Sequence, residues 1–419
     1  MTIAATRATI HTSLSLGARL VIQAATLLVV ARVLGPLAFG EFAGLASLAL
    51  TLGTLSSFGT NVVLLSEVAK KSSLRDTVLR YALPVTCIFG LLLFVAYFLI
   101  AHQWLHISEM SLAALVSVGI SETIVQPLIA IISAEYQGRE RTPDSQWLLN
   151  LPLFLRMLVA LALWYTRPAN ALDIYAYGYV VASGAILILA IVTLRPAWPH
   201  PTQWRGPTTP EIRHASGFAL LNITAVSPAE LDKTLALRLL PFAAAGVYAA
   251  GTRVIGALIL PVIAMMLTML PRMFREHSHA PQTASRLSRW TLSCASLYSM
   301  VLALILWQAA PILQTVFGEH YRGLADIIRW LCPVLPGMAM RIVAGSSLMS
   351  MNKPWARAGF EAIGLLVLGL SALALSHRFG IHGMALALGC SEWSMAILGC
   401  AMIASFGVRR APVNEQPVA

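Results

Sequence analysis

The chain has 419 residues, of which 58% are hydrophobic and 11% charged, with a mean hydropathy of +0.74. A water-soluble domain carries about 25% charged residues, so a soluble globular fold is excluded and the exterior must face lipid. The net charge of +11 does not signal nucleic acid, because the basic residues form no patch with interleaved aromatics and sit in small groups between apolar runs, the pattern of cytoplasmic loop anchors.

The predicted elements follow from those apolar runs. At about 20 apolar residues per crossing, the chain has room for a dozen helices with short loops, and for no soluble domain. Leu14 to Leu34 comes first. It is too long for a cleavable leader, contains Arg19, and ends in a Gly-Pro turn without a small-residue cleavage site. The runs of the first half span 12–34, 39–66, 78–101, 110–134, 145–166 and 171–194; those of the second span 215–240, 244–271, 287–310, 324–350, 355–377 and 381–406. Backbone groups in hydrocarbon must be satisfied within their own segment, and nothing alternates with a barrel strand's period, so the runs are helices. Pro84, Pro127, Pro152, Pro228, Pro261, Pro271, Pro333 and Pro336 interrupt them, either as kinks that open a lumen or as breaks that neighbouring helices compensate. Cys87, Cys294, Cys332, Cys390 and Cys400 lie in the runs without C-x-x-C spacing and read as spectator thiols.

Loop charge sets the orientation. One alternate set of connections holds Lys70, Lys71, Arg75, Arg80, Arg139, Arg141, Arg195, Arg205, Arg213, Arg272, Arg275, Arg286, Arg289, Lys353 and Arg357, with Arg7, Arg409 and Arg410 at the ends. The opposite set has Arg167, Arg322 and Arg378, so the bias is about 18 to 3 and predicts both termini in the cytoplasm. The longest connection, Arg195 to His214, divides six spans from six: an N-terminal lobe over 1–197, a cytoplasmic linker over 198–213 and a C-terminal lobe over 214–419. A repeat supports the division. Ala31-Arg32-Val33-Leu34-Gly35 with Gly40-Glu41-Phe42-Ala43 recurs 206 residues on as Leu237-Arg238-Leu239-Leu240-Pro241 with Gly246-Val247-Tyr248-Ala249. Six being even, the repeats are parallel, as in transporters that rock two bundles about a central site. The fold class is therefore all-α integral membrane, about twelve spans in two parallel six-helix repeats.

The stretch Ala31 to Phe42, Ala-Arg-x-Leu-Gly-Pro…Phe-Gly-x-Phe, resembles the first-hairpin signature of polysaccharide biosynthesis flippases. These belong to the multidrug/oligosaccharidyl-lipid/polysaccharide exporter superfamily. Glu135-Tyr136-Gln137-Gly138-Arg139, Asp232-Lys233, Phe317-Gly318-Glu319-His320-Tyr321 and Gly380-Ile381-His382-Gly383-Met384-Ala385 are similar to further junctions of that family. Pro241 departs from the family's Gly and bears on turn geometry. The resemblance implies a bacterial inner-membrane flippase for polyprenyl-pyrophosphate-linked oligosaccharides, working by alternating access around a cavity lined by spans 1, 2, 7 and 8. It further implies membrane lipids, a polysaccharide polymerase and export machinery as partners, no nucleic acid, no catalytic residue and no cofactor beyond a proton or sodium gradient.

Site residues are argued from charge. A Lys or Arg at the bilayer centre costs about 3 kcal/mol on insertion scales, so intramembrane cations are functional candidates. An anionic diphosphate needs guanidinium or ammonium groups, and Arg holds phosphate oxygens bidentately. Arg19, Lys233 and Arg253 come first, on spans the resemblance sets at the cavity; Arg341 and Arg156 follow. The competing reading for each is an interhelical ion pair or a helix-end snorkeller. Arg32 and Arg238 read as interface anchors. Glu122, Asp232 and Glu392 are the acids that a coupling ion would use, or else charge partners for the arginines. His277-Ser278-His279 lacks the neighbours of a metal site, and no phosphate-cradling Gly-rich loop ends in Lys-Ser/Thr, against direct use of ATP.

The alternatives are a multidrug antiporter or a peptidoglycan-precursor flippase of the same fold, and a membrane-embedded polysaccharide polymerase. The short outward connections, around Ala101 to Glu109 and Gly318 to Gly323, speak against the polymerase.

Overall fold

In the computed structural model, residues 3–105, 110–194, 197–279 and 281–408 are described. Arg195, Arg409, Arg410 and the end of the Ala101–Glu109 connection lie outside them, as do the side chains of Arg7, Arg275, His277, Ser278 and His279. The described residues are helical and turn, with no β-strand. Among the described residues, eight helices are long and apolar enough to cross a membrane, nine if one bent pair counts as a span.

The first helices are α1 (Ile3–Ser56), α2 (Thr60–Lys70), α3 (Arg75–Trp104), α4 (Leu112–Ile120), α5 (Gln126–Gly138), α6 (Thr142–Thr166), α7 (Ala171–Thr193), α8 (Thr209–Leu239) and α9 (Phe242–Leu258). They are followed by α10 (Leu260–His279), α11 (Pro281–Phe317), α12 (Leu324–Leu331), α13 (Val334–Ser350) and α14 (Pro354–Val408). Contacts divide the chain into two units, residues 1–253 with 313–324, and residues 254–312 with 325–419. The boundary between residues 253 and 254 falls within α9.

Two of the helices are two rods joined at a glycine. In α1 the break is Gly35, φ 70° and ψ 170°, directly before Pro36; the pair removes a helical N–H and needs a φ that only glycine adopts freely. In α14 it is Gly380, φ 55° and ψ −129°. A different irregularity joins α4 to α5. Residues Ser121–Val125 form a π-turn in which the Gln126 N–H donates to the Ser121 carbonyl. Pro127 has no N–H to give the turn before it, and the freed backbone is met closely: a Cβ on Gly90 would lie 2.6 Å from the Thr123 carbonyl oxygen, and one on Gly53 would strike that of Glu122. Single π-turns recur at functional positions, and this one carries Glu122.

In the first unit α1 packs on α8 and α6. The α1–α8 face is built of small residues, which let backbones approach. Thr234 donates to the Gly44 carbonyl at 3.1 Å, and a Cβ on Gly44 would lie 2.6 Å from that of Leu237. The repeat found in the sequence closes on itself here. A Cβ on Gly40 would fall 2.6 Å from the Gly246 nitrogen and strike the Phe242 carbonyl oxygen. Its repeat mate Gly246 would place a Cβ 2.6 Å from the Pro36 carbonyl carbon and strike the carbonyl oxygen. Pro36 and Phe242 are themselves 206 residues apart, so the contact is reciprocal, as a local two-fold axis requires.

The linker is bonded down. Arg75 donates to Glu135 (2.7 Å) and to the Ala197 carbonyl (3.1 Å), while Arg139 pairs with the same Glu135 at 2.7 Å. The Arg205 N–H donates to the Arg80 carbonyl at 2.9 Å. Its guanidinium grips Glu211 bidentately at 2.9 and 2.6 Å and lies over the Tyr81 ring. Glu211 also takes the Thr208 N–H in the capping box that starts α8. The Arg205 hydrogen bonds hold its carboxyl down to about 2, and those of Thr208 add to this.

Candidate functional site

Among the described residues, most of the intramembrane charges fall into three sets. In the first unit, Arg156 on α6 reaches the π-turn. Its Nη2 lies 3.2 Å from Glu122 and donates to Ser121 (3.2 Å) and Ser183 (2.6 Å). Tyr179 on α7 donates to the same Glu122 oxygen at 2.6 Å, with the guanidinium 3.3 Å from its ring centre. Phe42 and Tyr175 complete an edge-to-face aromatic wall. Arg156 and Glu122 are both buried, so each neutralises a charge that would otherwise stand alone in low dielectric.

The second set joins α1, α8 and α9. Lys233 lies 3.1 Å from Asp232 and 3.6 Å from Glu230, and donates also to the Ala229 carbonyl. Asp232 takes a second bond from Tyr248 at 3.0 Å, and Glu230 one from Ser47 at 2.8 Å. Arg253, half-buried one turn beyond Ala249 on α9, has no hydrogen bond or ion pair among the described residues, but stands within electrostatic reach of Glu230 and Tyr175. Pro228 precedes this group and leaves the Thr224 carbonyl without its helical donor.

The third set lies in the second unit. Arg341 on α13 pairs with Glu392 on α14 at 2.7 Å, both buried. Arg357 pairs with the buried Glu361 at 3.0 Å, and the charge of Glu361 is felt at both Arg341 and Glu392.

The eight residues singled out by sequence are thus separated by partnership. Arg156, Arg341 and Lys233 each hold an acid, and those acids are Glu122, Glu392 and Asp232. Arg19 on α1 is half-buried and has no hydrogen bond or charged partner among the described residues. Arg19 and Arg253 are the two of the five cations left in this condition. Arg32 and Arg238, the repeat mates, each lie over an exposed tryptophan, Trp164 at 5.6 Å and Trp104 at 5.8 Å, which suits interface anchors.

Tyr179, Ser183, Tyr248, Ser47 and Glu361 were not singled out by sequence reasoning. Neutral hydroxyls in an apolar run carry no hydropathy signal. The i, i+4 spacing of Arg357 and Glu361 is the one sequence signal for their pairing.

The profile of the family described as "Polysaccharide biosynthesis protein" matches residues 5–277. Among solved structures, an inward-facing multidrug resistance MATE family transporter of the MOP superfamily superposes with a TM-score of 0.73 at 12% identity, over 94% of this chain and 96% of its own. A MOP superfamily transporter from Pyrococcus furiosus, described by the reverse polarity of its binding pocket, gives 0.65 at 14% identity over 96% and 95%. An outward-facing multidrug resistance MATE transporter gives 0.63 at 13% over 96% and 96%. At such identities the likeness is one of fold. No curated protein sequence matches the chain. The family match spans well over half of the 419 residues, and the chain is a multi-pass membrane protein that belongs to the polysaccharide biosynthesis protein family and has the fold of the MATE transporters.

Proposed function

We propose that this protein is a flippase that carries polyprenyl-pyrophosphate-linked oligosaccharide from the cytoplasmic to the outer leaflet of a bacterial inner membrane, for export of a cell-surface polysaccharide. The observation that carries the reading is the pair Arg19 and Arg253. Every other intramembrane cation ranked from the sequence holds a carboxylate, whereas these two are kept, at about 3 kcal/mol each, without a direct partner among the described residues. A diphosphate between sugar and lipid is the group that such guanidinium ions recognise. The lipid tail stays in the bilayer while the headgroup crosses a water-accessible path.

Twelve crossings with both termini cytoplasmic follow from this reading. Helix α14 has 55 residues, about 80 Å at 1.5 Å per residue, against a hydrocarbon core of about 30 Å. Broken at Gly380 it supplies two crossings, and α1 broken at Gly35 supplies two more. The six-plus-six division at 198–213 agrees with the repeat, and the Gly40–Gly246 contact then joins the outer ends of the two repeats' first hairpins. Alternating access requires that contact to part and re-form.

An organic-cation antiporter would want acids free to meet its substrate. Glu122, Asp232 and Glu392 each hold a cation instead. Protonating one of them would strand a buried Arg or Lys, at several kcal/mol, so a proton or sodium gradient acting through these acids must move the pair as a unit.

The test is genetic. Deletion of the gene should leave polyprenyl-linked repeat units accumulating on the cytoplasmic leaflet with no surface polymer. Surface polymer at the normal level would overturn the reading.

A further inference from the structure

Lys233 has two acidic neighbours that are held in different ways. Asp232 sits 3.1 Å away with both oxygens engaged, the second by Tyr248 at 3.0 Å, and 1% of its side chain is accessible. Glu230 is 3.6 Å away, beyond hydrogen-bond distance, and 20% of its side chain is accessible. Its one short bond comes from a neutral hydroxyl on another helix, Ser47 on α1 at 2.8 Å. It also feels Arg253 from α9 without touching it. One carboxylate is therefore fixed in place, and the other lies near Lys233 and within electrostatic reach of Arg253 while tightly bound to neither.

The charges balance. Lys233 and Arg253 contribute two positive charges, Asp232 and Glu230 two negative ones. An empty carrier must change conformation with this site inside the membrane, where uncompensated cations are costly. A dianionic diphosphate brought to the same cations would compete with the acid that is less firmly held. We infer that Glu230 is a displaceable counter-ion, which together with Asp232 balances Lys233 and Arg253 in the empty carrier and gives way to the diphosphate of the headgroup, whereas Asp232 is the permanent partner of Lys233. This rests on the headgroup reading above. It adds that selectivity for a diphosphate over a singly charged anion is set here, because a lone carboxylate or monoanion does no better than Glu230 already does.

The test is binding of farnesyl diphosphate to the purified full-length protein in detergent, followed by tryptophan fluorescence. Glu230→Gln removes the competing charge and should tighten binding about tenfold. Ser47→Ala, which frees Glu230 without removing it, should tighten it by a smaller factor and serves if the first variant fails to fold. Farnesyl methyl phosphate, a diester with a single negative charge, should gain less than the diphosphate from Glu230→Gln. Binding by the wild type that Arg253→Ala abolishes and both Glu230→Gln and Ser47→Ala leave unchanged overturns this inference alone. No binding by any of them overturns the headgroup reading and this inference together.

Discussion

Substitution of Gly246 by alanine perturbs one contact and leaves charge, helix propensity and lipid-facing surface nearly as they were. The new Cβ would stand 2.6 Å from the Pro36 carbonyl carbon and 3.0 Å from its Cα, where carbon atoms prefer about 3.5 Å or more. The start of α9 must therefore withdraw from the Gly35–Pro36 turn by about 1 Å. The obstacle is backbone on both sides, so no side chain can rotate to relieve it. Overpacking of this kind costs about 1–3 kcal/mol. The penalty falls on the state in which the two hairpins touch and is absent where they are apart. The ratio of touching to parted molecules should then fall by about 5- to 150-fold. Spin labels at Leu37 and Ala243, repeat mates that are both exposed, would report the distance in a background without the native cysteines. Gly246→Ala should move the distance distribution toward the longer population, and Gly40→Ala should do the same. Gly256→Ala, on the same helix with open space around it, should leave it unchanged. A distribution unaltered by either contact substitution would refute the idea that this contact must part during transport.

Arg19→Ala and Arg253→Ala should each reduce exported polymer to below about a tenth of normal with membrane levels intact, since each removes a headgroup ligand worth a charge-assisted bond; quantitative immunoblots of polymer and protein check it. Arg156→Ala should instead lower the stability of the purified protein by about 3–5 kcal/mol, by stranding Glu122, and the double variant with Glu122→Gln should recover much of that in thermal unfolding. The Arg205–Glu211 bond should survive acid. A carboxyl held at about 2 stays ionised in the folded protein down to that value, and its contribution to stability, full above the ordinary range near about 4.3, fades as pH falls from there and is lost as pH passes through about 2. A carbon-detected titration of Glu211 checks this, and Arg205→Gln should raise the midpoint toward that ordinary range. If flipping is driven by an ion gradient, collapsing the proton and sodium gradients together in vesicles should stop it; unchanged rates would mark passive facilitation.

Much of the helical order was legible because hydropathy reports the bilayer directly. The turns at Gly35-Pro36 and near Gly380 show in the sequence for the same reason: a φ that favours glycine and a missing proline N–H are properties of the residue itself. The stretch 244–271 is matched by one candidate span, Phe242–Leu270, with a turn residue at Ile259, and the 42° bend between Leu331 and Val334 falls at Pro333, one of the interrupting prolines. At Ser121–Val125 the interruption is marked by Pro127, but its form as a π-turn depends on Gly53 and Gly90 making room on neighbouring helices. The repeat could be read as a pattern, but its meaning as a reciprocal contact needed coordinates.

The charges divide in the same way. That Arg19, Arg156, Lys233, Arg253 and Arg341 lie in apolar runs follows from the sequence. Which of them hold an acid does not, because the partner is chosen by the facing of distant helices. Glu122 meets Arg156 across 34 residues, and Arg341 meets Glu392 across 51. Only Lys233 had its partners beside it in the chain.

The most direct measurement is headgroup translocation in proteoliposomes that hold the purified protein and a fluorescent-sugar polyprenyl diphosphate as the one lipid-linked sugar. A membrane-impermeant quencher or a sugar-modifying enzyme then reports which leaflet carries the label. The protein should raise the rate of leaflet exchange well above that of protein-free liposomes, and Arg253→Ala should return it to background. Exchange no faster than in protein-free liposomes, or exchange indifferent to both Arg19→Ala and Arg253→Ala, would refute flipping through these arginines.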